Sequence, residues 1–231
     1  MSHPTIIAIA MISAAATAFT ITARQPDATD ENARMAAAGM VDAQAACPDL
    51  VVDLMYARAD NFTGVKLYDN LSGAWLHPLA AESLIDAQRR LTRLHPGLHI
   101  KVCDAARPMS TQARMFRAVS GTPKSRYVSN PARGGGQHNF GMAVDVTLVD
   151  SCGRELDMGT PVDHLGPEAH IGDAETQMLR TGRLTQAQLD NRLLLRRIMK
   201  AAGFTNLKSE WWHFNRCSRR YAQAHLRPLD F

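Results

Sequence analysis

The chain has 231 residues, 45% hydrophobic and 21% charged, a composition that excludes a fibrous or wholly disordered protein and suits one catalytic-sized domain. The formal charge of +4 and the sequence pI of about 9.0 are mild, and Lys and Arg are scattered along the chain instead of forming a stripe. No nucleic-acid surface is expected from such a pattern.

Residues 1–23 stand apart from the rest. An apolar run from Ile6 to Phe19, too short to span a bilayer comfortably, is followed by small-residue sites at Ala16-Thr17-Ala18 and Ile21-Thr22-Ala23. This reads as a secretory signal peptide and predicts a periplasmic or cell-envelope protein with no membrane span in the mature chain. The region before the run offers only the amino terminus and His3 where Lys or Arg is usual, so an uncleaved anchor or a buried helix is the alternative. Cys47, Cys103, Cys152 and Cys217 permit two disulfides in an exported chain, in any of three connectivities. They include no Cys-x-x-Cys pair, which argues against a zinc ribbon, and some of them read equally well as small buried hydrophobes.

Residues 24–46 are polar and alanine-rich without an apolar stripe, and are expected to form a linker into a domain over 47–231. "LVVDLMYA" (50–57) reads as a first strand and "DNFTG" (60–64) as a loop. Leu79, Leu84, Ile85, Leu91 and Leu94 recur at helical spacing up to Pro96-Gly97. "LHIKVCDAARP" (98–108) alternates as a half-buried strand does until Pro108 stops it, and a short helix over 110–119 follows with Ser110 as its N-cap. Residues 120–137 are rich in Gly, Pro and Ser and predict a long loop, of the length that often carries function. In "GMAVDVTLVD" (141–150), Val144, Val146 and Leu148 fall on one strand face, with Asp145 on the other. Residues 151–183 read as irregular. A second helix is predicted over 185–202, opened by a Thr185/Gln188 capping box and stopped by Gly203, before strands in "FTNL" (204–207) and "EWWHF" (210–214). The sum is an α+β single domain, a mainly antiparallel sheet with flanking helices.

His138, Asp145 and His213 carry chemistry when taken together. Two imidazoles and a carboxylate are a standard three-ligand set for catalytic zinc, with a fourth position left for water whose pKa the metal lowers to about 7. A further carboxylate is then needed to move a proton to the leaving amine, and Glu210, three residues before His213, fits that need. In a regular strand, positions i and i+3 face opposite ways, so this reading requires a bulge or a strand end at 210–213. Trp211 and Trp212 either fix that geometry or are plain core aromatics. Arg107, at the end of a strand and fixed by Pro108, is the candidate cation for a developing oxyanion, although an arginine there is more often a surface residue.

"YARADNFTG" (56–64), "DAARP" (104–108), "HNFGMAVD" (138–145), "DMGTPVD" (157–163) and "EWWHF" (210–214) follow one another in a pattern that resembles the D-alanyl-D-alanine dipeptidases, over about residues 47–216. The pairing of His-x6-Asp with Glu-x2-His is shared with zinc D,D-carboxypeptidases and hedgehog-like domains. The resemblance implies a hedgehog/D,D-peptidase-like fold and one zinc held by His138, Asp145 and His213. It also implies Glu210 as general base and acid, Arg107 as the stabiliser of the tetrahedral intermediate, and a small D,D-dipeptide as substrate in cell-wall turnover. It points to Asp163 as the anion that pairs with the substrate ammonium, with Tyr56 at the same end of the pocket. Family members usually carry serine two positions before the first histidine, where this chain has Gly136. The competing readings are a zinc D,D-carboxypeptidase or endopeptidase acting on peptidoglycan peptides, and a zinc-containing binding module without catalysis.

Overall fold

The structure is a computed structural model and describes Met1 and residues 30–231. The expected signal peptide, 1–23, lies outside the described residues except for Met1, as does the start of the expected linker. In chain order the elements are α1 (Glu31–Ala37), β1 (Val41–Asp42), α2 (Ala43–Ala46), β2 (Val51–Val52), β3 (Trp75–Leu76), α3 (Pro78–Leu94) and β4 (Leu98–Asp104). They continue with α4 (Met109–Val119), β5 (Ala143–Asp150), α5 (Asp173–Arg180), α6 (Gln186–Ala201), β6 (Thr205–Leu207), β7 (Glu210–Asn215) and α7 (Arg219–His225). Among the described residues no helix is long and apolar enough to cross a membrane.

Five strands form one sheet in the order β2-β4-β5-β7-β6, with β5 at its centre. All its pairings are antiparallel except that of β2 with β4, so the mainly antiparallel α+β reading holds. Leu84 and Leu91 of α3 and Leu195, Ile198 and Met199 of α6 are buried in one apolar cluster with Val102, Val144, Val146, Leu148, Trp212 and Phe214. The two helices therefore cover one face of the sheet with their apolar stripes, and burial at roughly 25 cal/mol per Å² stabilises the layers. A second cluster joins Met35, Tyr56, Tyr68, Met115, Val128 and Leu229 beside the first.

The sheet contains two irregularities. In β4, Val102 pairs with Val146 but Asp104 pairs with Asp145, so Cys103 is an inserted residue, a β-bulge. Between β6 and β7, Asn206 pairs with Phe214 but Leu207 pairs with Glu210, so residues 211–213 have no counterpart on β6. The departure from a regular strand that the Glu210/His213 spacing demands is present.

Several expectations need correction. Residues 31–46 are not linker but helix, strand and helix, with Met35 and Ala43 fully buried. The Glu31 carboxylate accepts the backbone N–H groups of Asp69, Asn70 and Leu71 at 2.8–2.9 Å, so polar residues that look like linker in fact tie α1 to the following loop. The strand expected over 50–57 is cut to Val51–Val52, and Met55–Ala57 is a 3-10 turn. Helix α5 lies within the stretch read as irregular, and Pro108, not Ser110, occupies the N-cap of α4. All four cysteines are free thiols, with Cys47 and Cys103 buried and Cys152 exposed.

Candidate active site

Tyr56, Arg107, His138, Asp145, Asp163, Glu210 and His213, all named from the sequence, line one cavity of about 350 Å³. Strand β5 pairs with β7 so that Asp145 lies directly opposite His213, and their Oδ1 and Nδ1 atoms are 2.9 Å apart. His138 comes from the 3-10 turn Gln137–Phe140, which ends at Gly141 in the left-handed region with φ 64°. A Cβ on Gly141 would stand 2.7 Å from the backbone nitrogen of His77, so both conformation and space require glycine where the chain turns into β5. His138 Nε2 lies 3.3 Å from Asp145 Oδ2 and 3.3 Å from His213 Nδ1.

The outer nitrogens of both rings are already engaged. His138 Nδ1 is 2.7 Å from the Ala105 carbonyl oxygen, which can only accept, so the ring donates there and leaves Nε2 as a lone pair facing the site. The 2.9 Å contact of His213 Nε2 with Asn215 Oδ1 leaves His213 Nδ1 facing inward in the same way. Burial opposes charge on His213, yet the hydrogen bond and charge of Asp145, together with Glu210, raise its pKa to about 9. Burial likewise disfavours the charged Asp145, but His138 and His213 hold it well below the usual carboxylate range. Three donor atoms, one from each residue, lie within 4.8 Å of one another. Two ring nitrogens and a carboxylate converge on one point, and once a cation takes the place of the proton on His213 Nδ1 the donor set fits a metal ion.

Glu210 reaches this centre because of the irregularity in β7. By strict alternation it shares the face of Trp212 and Phe214, both fully buried in the core. The stretch 211–213, which has no counterpart on β6, changes that phase, and Glu210 instead lines the cavity with Oε2 3.9 Å from His213 Nδ1. Burial pushes its carboxyl above the ordinary value while His213 draws it partly back, the condition of a group suited to take up and return a proton. Both tryptophans are buried in the core, and Trp211 also donates from Nε1 to Thr160 Oγ1 at 2.8 Å.

Arg107 is buried. Its Nη2 is ion-paired with Asp104 Oδ2, and its Nη1 donates to Gln112 Oε1 at 2.9 Å. Burial works against its charge, but Asp104 keeps the guanidinium firmly protonated. Its Nε has no partner among the described residues, so one donor is unused beside the cavity. Asp104 is fully buried, accepts from Tyr68 OH at 2.5 Å and lies 3.5 Å from His138 Nδ1. It positions both the arginine and the histidine, a role that strand alternation hides because the Cys103 bulge is what turns it onto the face of Asp145.

Tyr56 OH donates to Asp163 Oδ2 at 2.6 Å. Asp163 has φ 63°, a left-handed conformation rare outside glycine, held by the loop that carries it. Burial and the negative Asp145 raise its pKa to about 8, and no cationic side chain is ion-paired with it among the described residues. Helix α6 clamps the loop. Gln188 Nε2 donates to Asp157 Oδ2 at 2.8 Å, and the buried Arg192 donates from Nε to the Met158 carbonyl at 2.7 Å and from Nη2 to the Glu168 carbonyl at 3.0 Å. Arg192→Met is expected to orphan both carbonyls and lower stability by about 3 kcal/mol, read as the shift of the urea midpoint at constant slope. A change within 0.5 kcal/mol would show that the clamp bears no load.

A family model described as D-ala-D-ala dipeptidase matches residues 36–228. The chain belongs to this peptidase family. It is 35% identical over 175 residues to the D-alanyl-D-alanine dipeptidase of Escherichia coli (strain K12), a match covering 76% of this chain and 83% of the relative. It is 31% identical over 180 residues to the D-alanyl-D-alanine dipeptidase of Streptomyces coelicolor (strain ATCC BAA-471 / A3(2) / M145), covering 70% and 83%. The D-alanyl-D-alanine dipeptidase of Enterococcus faecalis (strain ATCC 700802 / V583) is 25% identical over 197 residues, covering 75% and 89%. The match starts within α1, so the dipeptidase domain takes in part of the stretch read as linker. Within it, Asp104 and Gln112 are site residues that sequence reasoning missed. The only signal for Asp104 was its place in "DAARP", and Gln112 had none.

Proposed function

We propose that this chain is a zinc D,D-dipeptidase of the periplasm or cell envelope that hydrolyses D-alanyl-D-alanine, or a similar D,D-dipeptide, to free amino acids during cell-wall turnover. The observation that carries this reading is the meeting, in one cavity, of a cation centre, a proton-carrying carboxyl, a buried arginine and a separate carboxyl with no ion-paired cation among the described residues. The export part rests on residues 1–23 alone.

His138 Nε2, His213 Nδ1 and an oxygen of Asp145 would hold the zinc, for which two imidazoles and a carboxylate are a fitting set. When bound there, zinc supplies a Lewis acid that makes water a nucleophile at neutral pH. Glu210 takes the proton of the attacking water and returns it to the departing amine nitrogen, a transfer its raised pKa favours. Arg107 stabilises the negative charge that develops on the carbonyl oxygen, and Asp104 and Gln112 hold its guanidinium in place. Asp163, fixed by Tyr56, takes the substrate ammonium. A half-buried carboxyl that needs this partner discriminates against blocked amino termini.

The test is amine release from D-Ala-D-Ala, L-Ala-L-Ala and N-acetyl-D-Ala-D-Ala. The free D,D-dipeptide is expected to be cleaved at least about 10³-fold faster than the acetylated one, and Asp163→Asn to shrink that ratio. Equal cleavage of the acetylated dipeptide would exclude a dipeptidase and favour an endopeptidase.

A further inference from the structure

Gly136 has φ −120° and ψ −177°, extended backbone that any residue adopts, so conformation does not explain a glycine there. Space does. A Cβ on Gly136 would stand 2.7 Å from Ser129 Oγ and 3.2 Å from Ser129 Cβ. The Ser129 hydroxyl thus fills the volume over Gly136, two residues before His138, and both residues line the active-site cavity. Within the described residues Ser129 is bonded through its carbonyl, and no partner takes its hydroxyl.

Both residues are fixed relative to Arg107. The buried Gln112 donates from Nε2 to the Ser129 carbonyl at 2.8 Å while its Oε1 accepts from Arg107 Nη1 at 2.9 Å. The buried Asn139 accepts the Gly136 N–H at 2.8 Å and donates to the Arg107 carbonyl at 2.8 Å. Two buried amides therefore set Ser129 and Gly136 at a defined place beside the arginine. Arg219, which donates to the Arg133 carbonyl on the same loop at 2.9 Å, also lines the cavity and adds positive charge.

A dipeptide brings two charged ends to the site. Its ammonium matches Asp163, and its carboxylate needs donors on a wall away from Asp145, Asp163 and Glu210. We propose that Ser129 is a specificity-determining residue, its hydroxyl donating from the space over Gly136 to the terminal carboxylate of the substrate. This rests on the dipeptidase reading above.

The experiment measures kcat and KM for D-Ala-D-Ala and for its C-terminal amide with the wild-type enzyme, Ser129→Ala and the double variant Ser129→Ala/Gly136→Ser. The wild type is expected to prefer the free acid. Ser129→Ala should lower kcat/KM for the acid by about ten- to a hundredfold, mainly through KM, with the amide nearly unchanged. In the double variant the new hydroxyl enters the vacated volume and should restore most of the preference, a rescue that a merely structural role would not give. An unchanged acid-to-amide ratio in Ser129→Ala, or an equal loss on both substrates, overturns the assignment while leaving the dipeptidase reading intact. Failure of the wild type to cleave D-Ala-D-Ala overturns that reading and this assignment with it.

Discussion

Glu210→Gln is expected to fold, to retain its metal and to lose roughly 10²–10⁴-fold in kcat, the range a positioned general acid or base contributes. Glutamine keeps the volume of the side chain and its place at the end of β7, and Glu210 is not among the three residues whose donors converge. What it removes is the carboxylate oxygen 3.9 Å from His213 that we propose takes the proton of water. The burial that raises the Glu210 pKa also makes the neutral amide easy to accommodate, so stability should hold or rise slightly. Metal content by elemental analysis, a melting curve and kcat on D-Ala-D-Ala separate the effects. A variant with its metal and near-full activity would end the case for Glu210 as the proton carrier.

His213→Ala should instead lose metal. It deletes one of three converging donors and leaves Asp145 buried with His138 alone, so bound metal should fall from about one per chain to a small fraction, and activity with it. Asn215→Ala is the graded control. Its Oδ1 orients the His213 ring from behind, and loss of such a partner costs about 10–100-fold in metal affinity while the donor set stays complete. Equilibrium dialysis against a chelator ranks the three proteins. Unchanged stoichiometric metal in His213→Ala would refute the ligand assignment.

Much of this centre was legible because its residue types are rare in the combination and fall on recognisable elements. The β5 alternation placed Asp145 off the valine face, and the Thr185/Gln188 box opened α6 where expected. What was hidden has physical reasons. Residues 31–46 show no apolar stripe because their hold on the fold comes from Met35, Ala43 and a carboxylate capping backbone amides, not from a periodic face. Helix α5 buries only Glu175 and Met178, and Glu175 is buried because Arg196 meets it at 2.6 Å, a partner twenty-one residues away that no local pattern announces. Gln112 and Ser129 acquire meaning only when α4 and the 120–137 loop are brought together.

The two sheet irregularities act as phase slips in an otherwise two-beat strand. Each transfers one carboxylate, Asp104 or Glu210, from the apolar layer to the polar one, while Val102 and Trp212 keep their seats in the core. The core therefore loses no volume to the chemistry, and the acid groups meet the site from backbone that is hydrogen-bonded into the sheet on either side of each slip. Removing Cys103 would restore the beat in β4 with Asp104 still opposite Asp145, so the inserted residue has no polar role of its own and serves to let Val102 and the site's most buried carboxylate, two positions apart, face opposite layers.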